Sequence, residues 1–299
     1  MHLIAITADS TWRTALQTPK TAKVESVFRR ALNLRLNSGE LLTVFPAGSP
    51  NAPAGLIGSH VIGQTLGHVG ETVKLSPTAI TFNTVTIATN KCRFVTNSLG
   101  ERQMPMPSHD YLGQFTQHVK AQAIQGSFYG SMPNDVFNSA QVARLERGRG
   151  QLKLAWTQSS VEGIADATKQ LIGLGIGLTP SGDDYLVGLL LVLNHSVAAD
   201  SANLAAIKQA ILDNLGTTTS VSQAYLRAGL ERRYGEPLRD LLIAVTSQAD
   251  TFENALQTVL SHGATSGQDT CTGMIDAWKL LQGFTTESCY REILQEVGI

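Results

Sequence analysis

The chain has 299 residues, with 23 Lys and Arg against 24 Asp and Glu, so its formal net charge is −1. Hydrophobic residues make up 42% and charged residues 16%, a composition that supports a folded core and excludes a disordered chain. The near-zero charge argues against a protein that binds nucleic acid through bulk positive charge. The longest apolar run, Leu186 to Leu193, has 8 residues, whereas a membrane-spanning helix needs ~20. We therefore predict no nucleic-acid partner and no membrane segment.

The cysteines and the N-terminus bear on the cellular compartment. Three widely spaced cysteines, Cys92, Cys271 and Cys289, argue against a disulfide framework and a zinc site and fit a reducing cytoplasm. The first residues lack the basic region of a signal peptide. Residues 1–150 hold 14 basic and 8 acidic residues (+6), whereas residues 151–299 hold 9 and 16 (−7). We expect surfaces of opposite sign on the two parts.

Residues 1–105 are predicted to form a β-rich domain. Leucines alternate from Leu32 to Leu36, a turn follows at 37–39, and the run Leu41–Phe45 comes next, a pattern typical of paired strands. Three segments rich in Val, Ile and Thr predict further short strands at 71–75, 79–82 and 85–89. Residues 24–32 fit either a strand or a helix, because their apolar side chains also recur every three to four positions.

Residues 106–299 are predicted to form an all-α domain. Prolines at 105 and 107 mark the boundary, and the apolar periodicity is helical from there on. The predicted helices are roughly 111–123, 161–172, 183–198, 201–215, 221–234, 238–249, 252–261, 267–281 and 288–297. The run Leu186–Leu193 is apolar on all sides, so its helix is expected to be the buried centre. The fold class is thus α+β.

One segment stands out as a candidate site. Residues 173–184 read Gly-Leu-Gly-Ile-Gly-Leu-Thr-Pro-Ser-Gly-Asp-Asp, between two apolar helices. The glycines allow close backbone approach or positive φ. The spacing is not that of a dinucleotide fingerprint, and no Lys-Ser/Thr follows as in a P-loop.

Two later segments echo this one. Residues 263–273 repeat the pattern Gly-x-Thr-(Pro)-Ser-Gly-x-Asp-x-x-x-Gly, and residues 216–223 are a looser relative. Each segment places small hydroxyl side chains where a helix begins, and a helix N-terminus favours anions. We therefore expect the first two Ser-Gly loops to converge and to bind a small anionic or amide metabolite.

The alternative is that these segments only cap helices. Ser181 with Asp184, Ser266 with Asp269, and Ser220 with Gln223 all have capping-box spacing. Capping does not explain the glycine that adjoins each of the first two serines, because glycine is a poor helix former.

The candidate residues follow from these loops. Asp183 and Asp184 are the catalytic candidates: Asp184 is expected to cap Ser181 and so to stabilise the fold, whereas Asp183 is free for a ligand N–H, a cation or general-base catalysis. His262, directly before the second loop, is a weaker candidate. The predicted ligand-binding residues are Gly175, Gly177, Thr179, Ser181, Gly182, Thr218, Ser222, Arg227, Thr265, Ser266, Gly267 and Asp269. No cofactor and no metal are predicted, although metal-assisted hydrolysis on the three aspartates of the first two loops stays open as an alternative.

At residues 175–184 the chain resembles the AllH-like proteins, named for one subunit of the oxamate carbamoyltransferase of anaerobic allantoin breakdown. The resemblance extends over the β-rich start, the 173–188 segment, Thr-Thr-x-x-Ser-x-x-Tyr-Leu-Arg at 218–227 and the loop at 263–269. It implies a part in carbamoyl transfer between oxamate or oxalurate and carbamoyl phosphate or phosphate, together with partner subunits. The Ser-x-Arg-Thr and His-Pro-x-Gln signatures of ordinary carbamoyltransferases are absent from the sequence. The chain is therefore expected to use a different site, or to be a non-catalytic subunit that binds ligand or recruits catalytic partners.

Overall fold

The structure, a computed structural model, describes residues 2–59, 66–130, 136–261 and 263–283. The predicted helix at 288–297, Cys289 and His262 lie outside these residues. The chain divides into two compact units, one comprising Met1–Ser98 and Arg233–Glu236, the other Leu99–Arg232 and Pro237–Ile299. The predicted boundary after residue 105 lies beyond Ser98. The α+β fold class is confirmed, with strands in the first unit and helices in the second.

The first unit is built on one sheet with the strand order β5-β4-β3-β2-β6-β7-β8-β1-β9. An additional antiparallel pairing of β5 with β1 closes the sheet on itself. The strands are β1 His2–Asp9, β2 Lys20–Val27, β3 Leu32–Leu36, β4 Leu41–Phe45, β5 Gly55–Gly58, β6 Thr72–Ser76, β7 Ala79–Thr81, β8 Thr86–Ala88 and β9 Arg93–Val95. The open alternative at residues 24–32 is resolved as strand up to Val27, followed by a new strand from Leu32.

The core of this unit is formed by the side chains that point inward from the strands. Buried and exposed residues alternate in β6 and at the start of β1, as expected of strands with one solvated face. Helix α1, Ser10–Leu16, follows β1 and is capped by Asp9, which accepts from the Thr11 amide at 3.0 Å. Trp12 of this helix is fully buried, and its indole N–H donates to the Ala54 carbonyl at 2.9 Å.

The short segment Arg233–Glu236 completes the first unit. Arg233 forms an ion pair with Asp9 at 3.0 Å, and Tyr234 N–H donates to the Asn97 carbonyl at 2.8 Å. The Glu236 carboxylate accepts from the backbone N–H of Asn51 at 2.9 Å. These bonds explain why a distant stretch of sequence belongs to the strand-rich unit.

The helices of the second unit match most of the predicted ranges within a few residues. They are α2 His109–Ala121, α3 Val136–Thr157, α4 Val161–Leu171, α5 Ser181–Leu193, α6 Ala202–Asn214, α7 Ser220–Leu230, α8 Glu236–Ser247, α9 Phe252–Leu260 and α10 Ser266–Leu281, with a 3₁₀ turn at Leu215–Thr217. Helix α3 was not predicted. Every residue of α5 is buried, which confirms that the apolar run lies at the centre of its unit. No helix of the described residues is both long enough and apolar enough to cross a membrane.

Helices α5 and α10 cross with almost no side chain between them. A Cβ at Gly188 would lie 1.9 Å from the Thr270 carbonyl oxygen, and one at Gly273 would lie 2.0 Å from the Tyr185 carbonyl oxygen. These two glycines occupy equivalent places in the two repeats. The backbones therefore touch at the crossing, and the two N-terminal ends are held in a fixed relation.

Gly188→Ala is expected to destabilise the protein by about 1–3 kcal/mol, because the new methyl group meets backbone that must move. Gly113→Ala in α2 is the matched control, since a Cβ there has nothing within 4 Å and alanine is the better helix former. Urea unfolding of both variants measures the difference. Equal midpoints for the two variants would contradict the tight crossing.

Candidate functional site

The two Ser-Gly loops converge in the second unit. Thr179 precedes α5, Ser266 begins α10, and their hydroxyl oxygens lie 2.8 Å apart in a hydrogen bond. The third segment joins them, because the Thr219 hydroxyl donates to the Leu178 carbonyl. The expected convergence of the loops is thus confirmed, and the segments at the beginnings of α5, α7 and α10 are in contact.

The predicted capping boxes are wrong in detail. Helix α5 begins at Ser181 after Pro180, and α10 begins at Ser266 after Thr265; neither N-cap residue makes a side-chain cap hydrogen bond. In α7 the cap is Thr219, one residue before the predicted Ser220, and its hydroxyl accepts from the Ser222 amide at 3.1 Å. Capping therefore does not account for Ser181 and Ser266.

The serine of each loop instead contacts the acid of the other loop. The hydroxyls of Ser266 and Thr179 lie at the Asp184 carboxyl, and those of Ser181 and Thr265 lie at the Asp269 carboxyl. Each serine hydroxyl thus donates toward the carboxyl of the other helix.

Asp183 makes hydrogen bonds that hold the surrounding loops in place. It is buried, its Oδ1 accepts from the Gly173 amide at 2.9 Å, and its Oδ2 accepts from the Thr218 hydroxyl. Burial raises the pKa of Asp183, while hydrogen bonds from Thr218, Gly173 and Ser222 act in the opposite direction. The expectation that Asp183 has no duty in folding is wrong, because its side chain ties the start of α5 to the loops before α5 and α7.

Asp183→Asn is expected to lower stability by about 2 kcal/mol, since an amide cannot accept at both oxygen positions and leaves a buried N–H or hydroxyl unpaired. Thermal unfolding measures the loss. Asp166→Asn on the exposed side of α4 is the control. An unchanged melting temperature together with lost ligand binding would restore the ligand-contacting role first expected for Asp183.

Asp184 and Asp269 are the unusual acids. Asp184 is 9% exposed and Asp269 is fully buried, yet Oδ2 of each has no hydrogen bond of normal geometry within the described residues. Burial raises the pKa of Asp184 well above its ordinary value and that of Asp269 to about 7. Buried polar groups are almost always paired, so two acid oxygens without such a bond at equivalent positions of the two loops are the feature that packing alone does not explain.

The glycine next to each serine is explained by close packing. A Cβ at Gly182 would lie 2.0 Å from the Leu171 carbonyl oxygen, and one at Gly267 would lie 2.1 Å from that of Val259. Only glycine lets each helix start against the end of the helix before it. Gly175 has φ +131°, and a Cβ there would lie 2.5 Å from the Ser181 nitrogen. Gly177, the remaining glycine candidate, is exposed in the same loop.

Not every predicted ligand-binding residue lies beside Asp184 and Asp269. Arg227 lies in the last turn of α7, about 10 Å along the axis from its first residue, and its side chain is exposed. Thr218 and Ser222 converge on Asp183 rather than on the paired acids. His262 lies outside the described residues.

An ion pair that the sequence did not reveal lies on α3 and α10. Arg149 donates to both carboxylate oxygens of Asp276, at 2.6 and 3.0 Å, and to Glu146 at 3.0 Å. The Tyr185 hydroxyl donates to the same aspartate at 3.1 Å. Although burial raises the pKa of Asp276, the charges of Arg149 and Lys153 hold it well below its usual range. The available signal was a charged residue, Asp276, within an otherwise apolar stretch of α10, but the sequence did not show that Arg149 was its partner.

The described residues contain no group of three His, Cys, Asp or Glu side chains arranged to hold a metal ion.

Two models of known protein families match parts of this chain. Residues 171–278 match the family described as oxamate carbamoyltransferase subunit AllH, and residues 4–94 match the AllH family N-terminal domain. No solved structure matches the chain. The first match spans both Ser-Gly loops and helices α5 and α10, and the second spans the closed sheet. The chain therefore belongs to the AllH family, whose name designates a subunit of oxamate carbamoyltransferase.

Proposed function

We propose that this chain is a cytoplasmic subunit that takes part in carbamoyl transfer between oxamate or oxalurate and carbamoyl phosphate or phosphate, in anaerobic allantoin and purine breakdown. Its ligand binds where the N-termini of α5 and α10 meet. The family membership supports the reaction. The Thr179–Ser266 contact and the two acid oxygens without a hydrogen bond support the place.

The reaction sets what the site must supply. The amide nitrogen of oxamate attacks the carbonyl carbon of carbamoyl phosphate, a C–N bond forms, the C–O bond to phosphate breaks, and phosphate leaves as the nitrogen loses a proton. An amide nitrogen is a poor nucleophile, so a general base must accept that proton. The phosphate and carboxylate groups need donors, which helix N-termini and hydroxyls provide.

Asp269 is the best-placed base of the described residues in this loop pair. Its pKa of about 7 lies near the operating pH, where a general base is most effective. The neighbouring hydroxyls of Ser181 and Thr265 keep the carboxyl oriented. Thr179 and Ser266 provide two further hydroxyls, which lie at the Asp184 carboxyl.

The test is carbamoyl transfer by the chain alone and then by the chain with its partner subunits, with oxamate and carbamoyl phosphate as substrates. We expect phosphate release that requires oxamate and that falls at least a hundredfold in Asp269→Asn. Full activity of that variant in the assembled complex would place the base elsewhere.

A scaffolding role is the second candidate, and one observation favours it. Ile176 and Leu178 flank Gly177 in the first loop and are 67% and 48% exposed. Exposed large apolar side chains are suited to contact with a partner. In that case the chain holds ligand or partner without chemistry of its own. Transfer by the isolated chain would exclude the scaffolding role.

A further inference from the structure

The two unpaired oxygens occupy equivalent positions in the two repeats. Asp184 is the fourth residue of α5 and Asp269 is the fourth residue of α10. The two helix starts are in direct contact, because the Thr179 and Ser266 hydroxyls lie 2.8 Å apart and each serine reaches the acid of the other helix. The charge of Asp269 also raises the pKa of Asp184. Two such groups cannot both carry a charge in a buried place at low cost, so the pair retains a proton and presents one donor and one acceptor.

The surroundings decide which acid keeps the proton. Asp184 is faced by the charges of Asp269 and Asp183, by the hydroxyls of Ser266 and Thr179, and by the Tyr225 phenol. Asp269 is faced by the hydroxyls of Ser181 and Thr265, by Glu146, and by Cys271. Asp269 also accepts from the Phe128 amide at 3.2 Å through Oδ1, which favours its ionised form. Asp184 therefore holds the proton, and Oδ2 of Asp269 is the acceptor.

We infer that Asp184 and Asp269 together recognise a primary carboxamide, with Asp184 donating its O–H to the carbonyl oxygen and Asp269 accepting an N–H. A carboxamide has an acceptor oxygen and an N–H donor side by side, which complements one neutral carboxyl and one carboxylate. A ketone lacks the N–H, and a carboxylate places a second negative charge against Asp269. The pair thus favours a –CO–NH₂ group over a ketone or a carboxylate.

This inference rests on the proposed function, because oxamate carries the carboxamide beside a carboxylate that the helix N-termini attract. Pyruvate is the matched probe, since it has a methyl group in place of the amino group and keeps the carboxylate. Calorimetric titration at pH 8, on the chain alone and assembled with its partner subunits, compares the two. We expect oxamate to bind at least about tenfold more tightly than pyruvate, because pyruvate leaves the Asp269 oxygen unpaired.

The two asparagine variants are expected to differ. Asp184→Asn keeps a donor and should preserve the oxamate preference within about threefold. In Asp269→Asn the amide must turn its oxygen to the Phe128 N–H, so an NH₂ group replaces the unpaired oxygen and the preference disappears. If Asp269→Asn does not fold, the wild-type pH dependence provides the same test: the preference should shrink from pH 8 to pH 6, as Asp269 takes up a proton with its pKa of about 7.

Equal binding of oxamate and pyruvate by the wild type would overturn the carboxamide assignment, as would an unchanged preference in a folded Asp269→Asn. No binding of oxamate to either preparation would overturn it as well. The proposed function is judged separately, by phosphate release from the assembled complex, and stands if oxamate-dependent transfer occurs without this selectivity.

Discussion

Arg149→Leu is expected to destabilise the protein by about 3–5 kcal/mol, because it leaves the fully buried Asp276 without its bidentate partner. Since the folded-state pKa of Asp276 lies below its ordinary value, the stabilisation from this pair is present above about pH 4 and is lost as the pH falls toward the folded-state value. Urea unfolding at pH 8 measures the full loss in the variant.

Two comparisons separate the ion pair from simple loss of packing. Arg147→Leu changes an exposed arginine of the same helix and should alter stability by less than about 0.5 kcal/mol. The double change of Arg149 and Asp276 to leucine removes both charges and should cost less than Arg149→Leu alone. A double variant that is less stable than the single one would show that the charges themselves do not carry the effect.

Asp269→Asn is expected to make the folded state more stable at pH 8 while abolishing the carboxamide preference. The pKa of Asp269 rises from 3.8 to about 7 on folding, so the folded state holds this proton more tightly than the unfolded chain. The contribution of Asp269 to the free energy of unfolding therefore falls as the pH rises from about 4 to 7, by an amount on the order of 4 kcal/mol for three pH units. The asparagine variant has no charge to bury and escapes this loss.

The measurement is the difference in unfolding free energy between variant and wild type at pH 4 and at pH 8. The difference should shift in favour of the variant at pH 8, whereas Asp166→Asn, at an exposed position of α4, should show no such shift. A difference that is the same at both pH values would mean that Asp269 is already ionised at little cost in the folded protein.

Most of the fold was predictable because its signal is local. The strands β3 and β4 lie where alternating leucines and a turn placed them, and α5 lies where an apolar run demanded burial. Helix α3 escaped prediction because its inward face includes Gly148, Arg149, Gly150 and Lys153. Glycine and charged residues on the buried side remove the apolar stripe that sequence periodicity detects.

The site was half predictable. The repeated Ser-Gly pattern predicted that the loops converge, since related units pack in related ways. The structural partners of the acids were not predicted, because capping rules consider partners three residues away. Asp183 accepts from Gly173 and Thr218, and one of the hydroxyls at Asp184 comes from Ser266. Such pairings follow from the helix crossing, which no local pattern encodes.

The glycine crossing of α5 and α10 bears on the entropy of ligand binding. Helices separated by long side chains slide and rotate as rotamers change, whereas backbones in contact at Gly188 and Gly273 have few alternative arrangements. The unpaired oxygens of Asp184 and Asp269 are thus ordered when the protein folds and not when the ligand arrives. Binding of the proposed carboxamide then costs little conformational freedom in the protein, and the affinity for so small a molecule can come from a few hydrogen bonds.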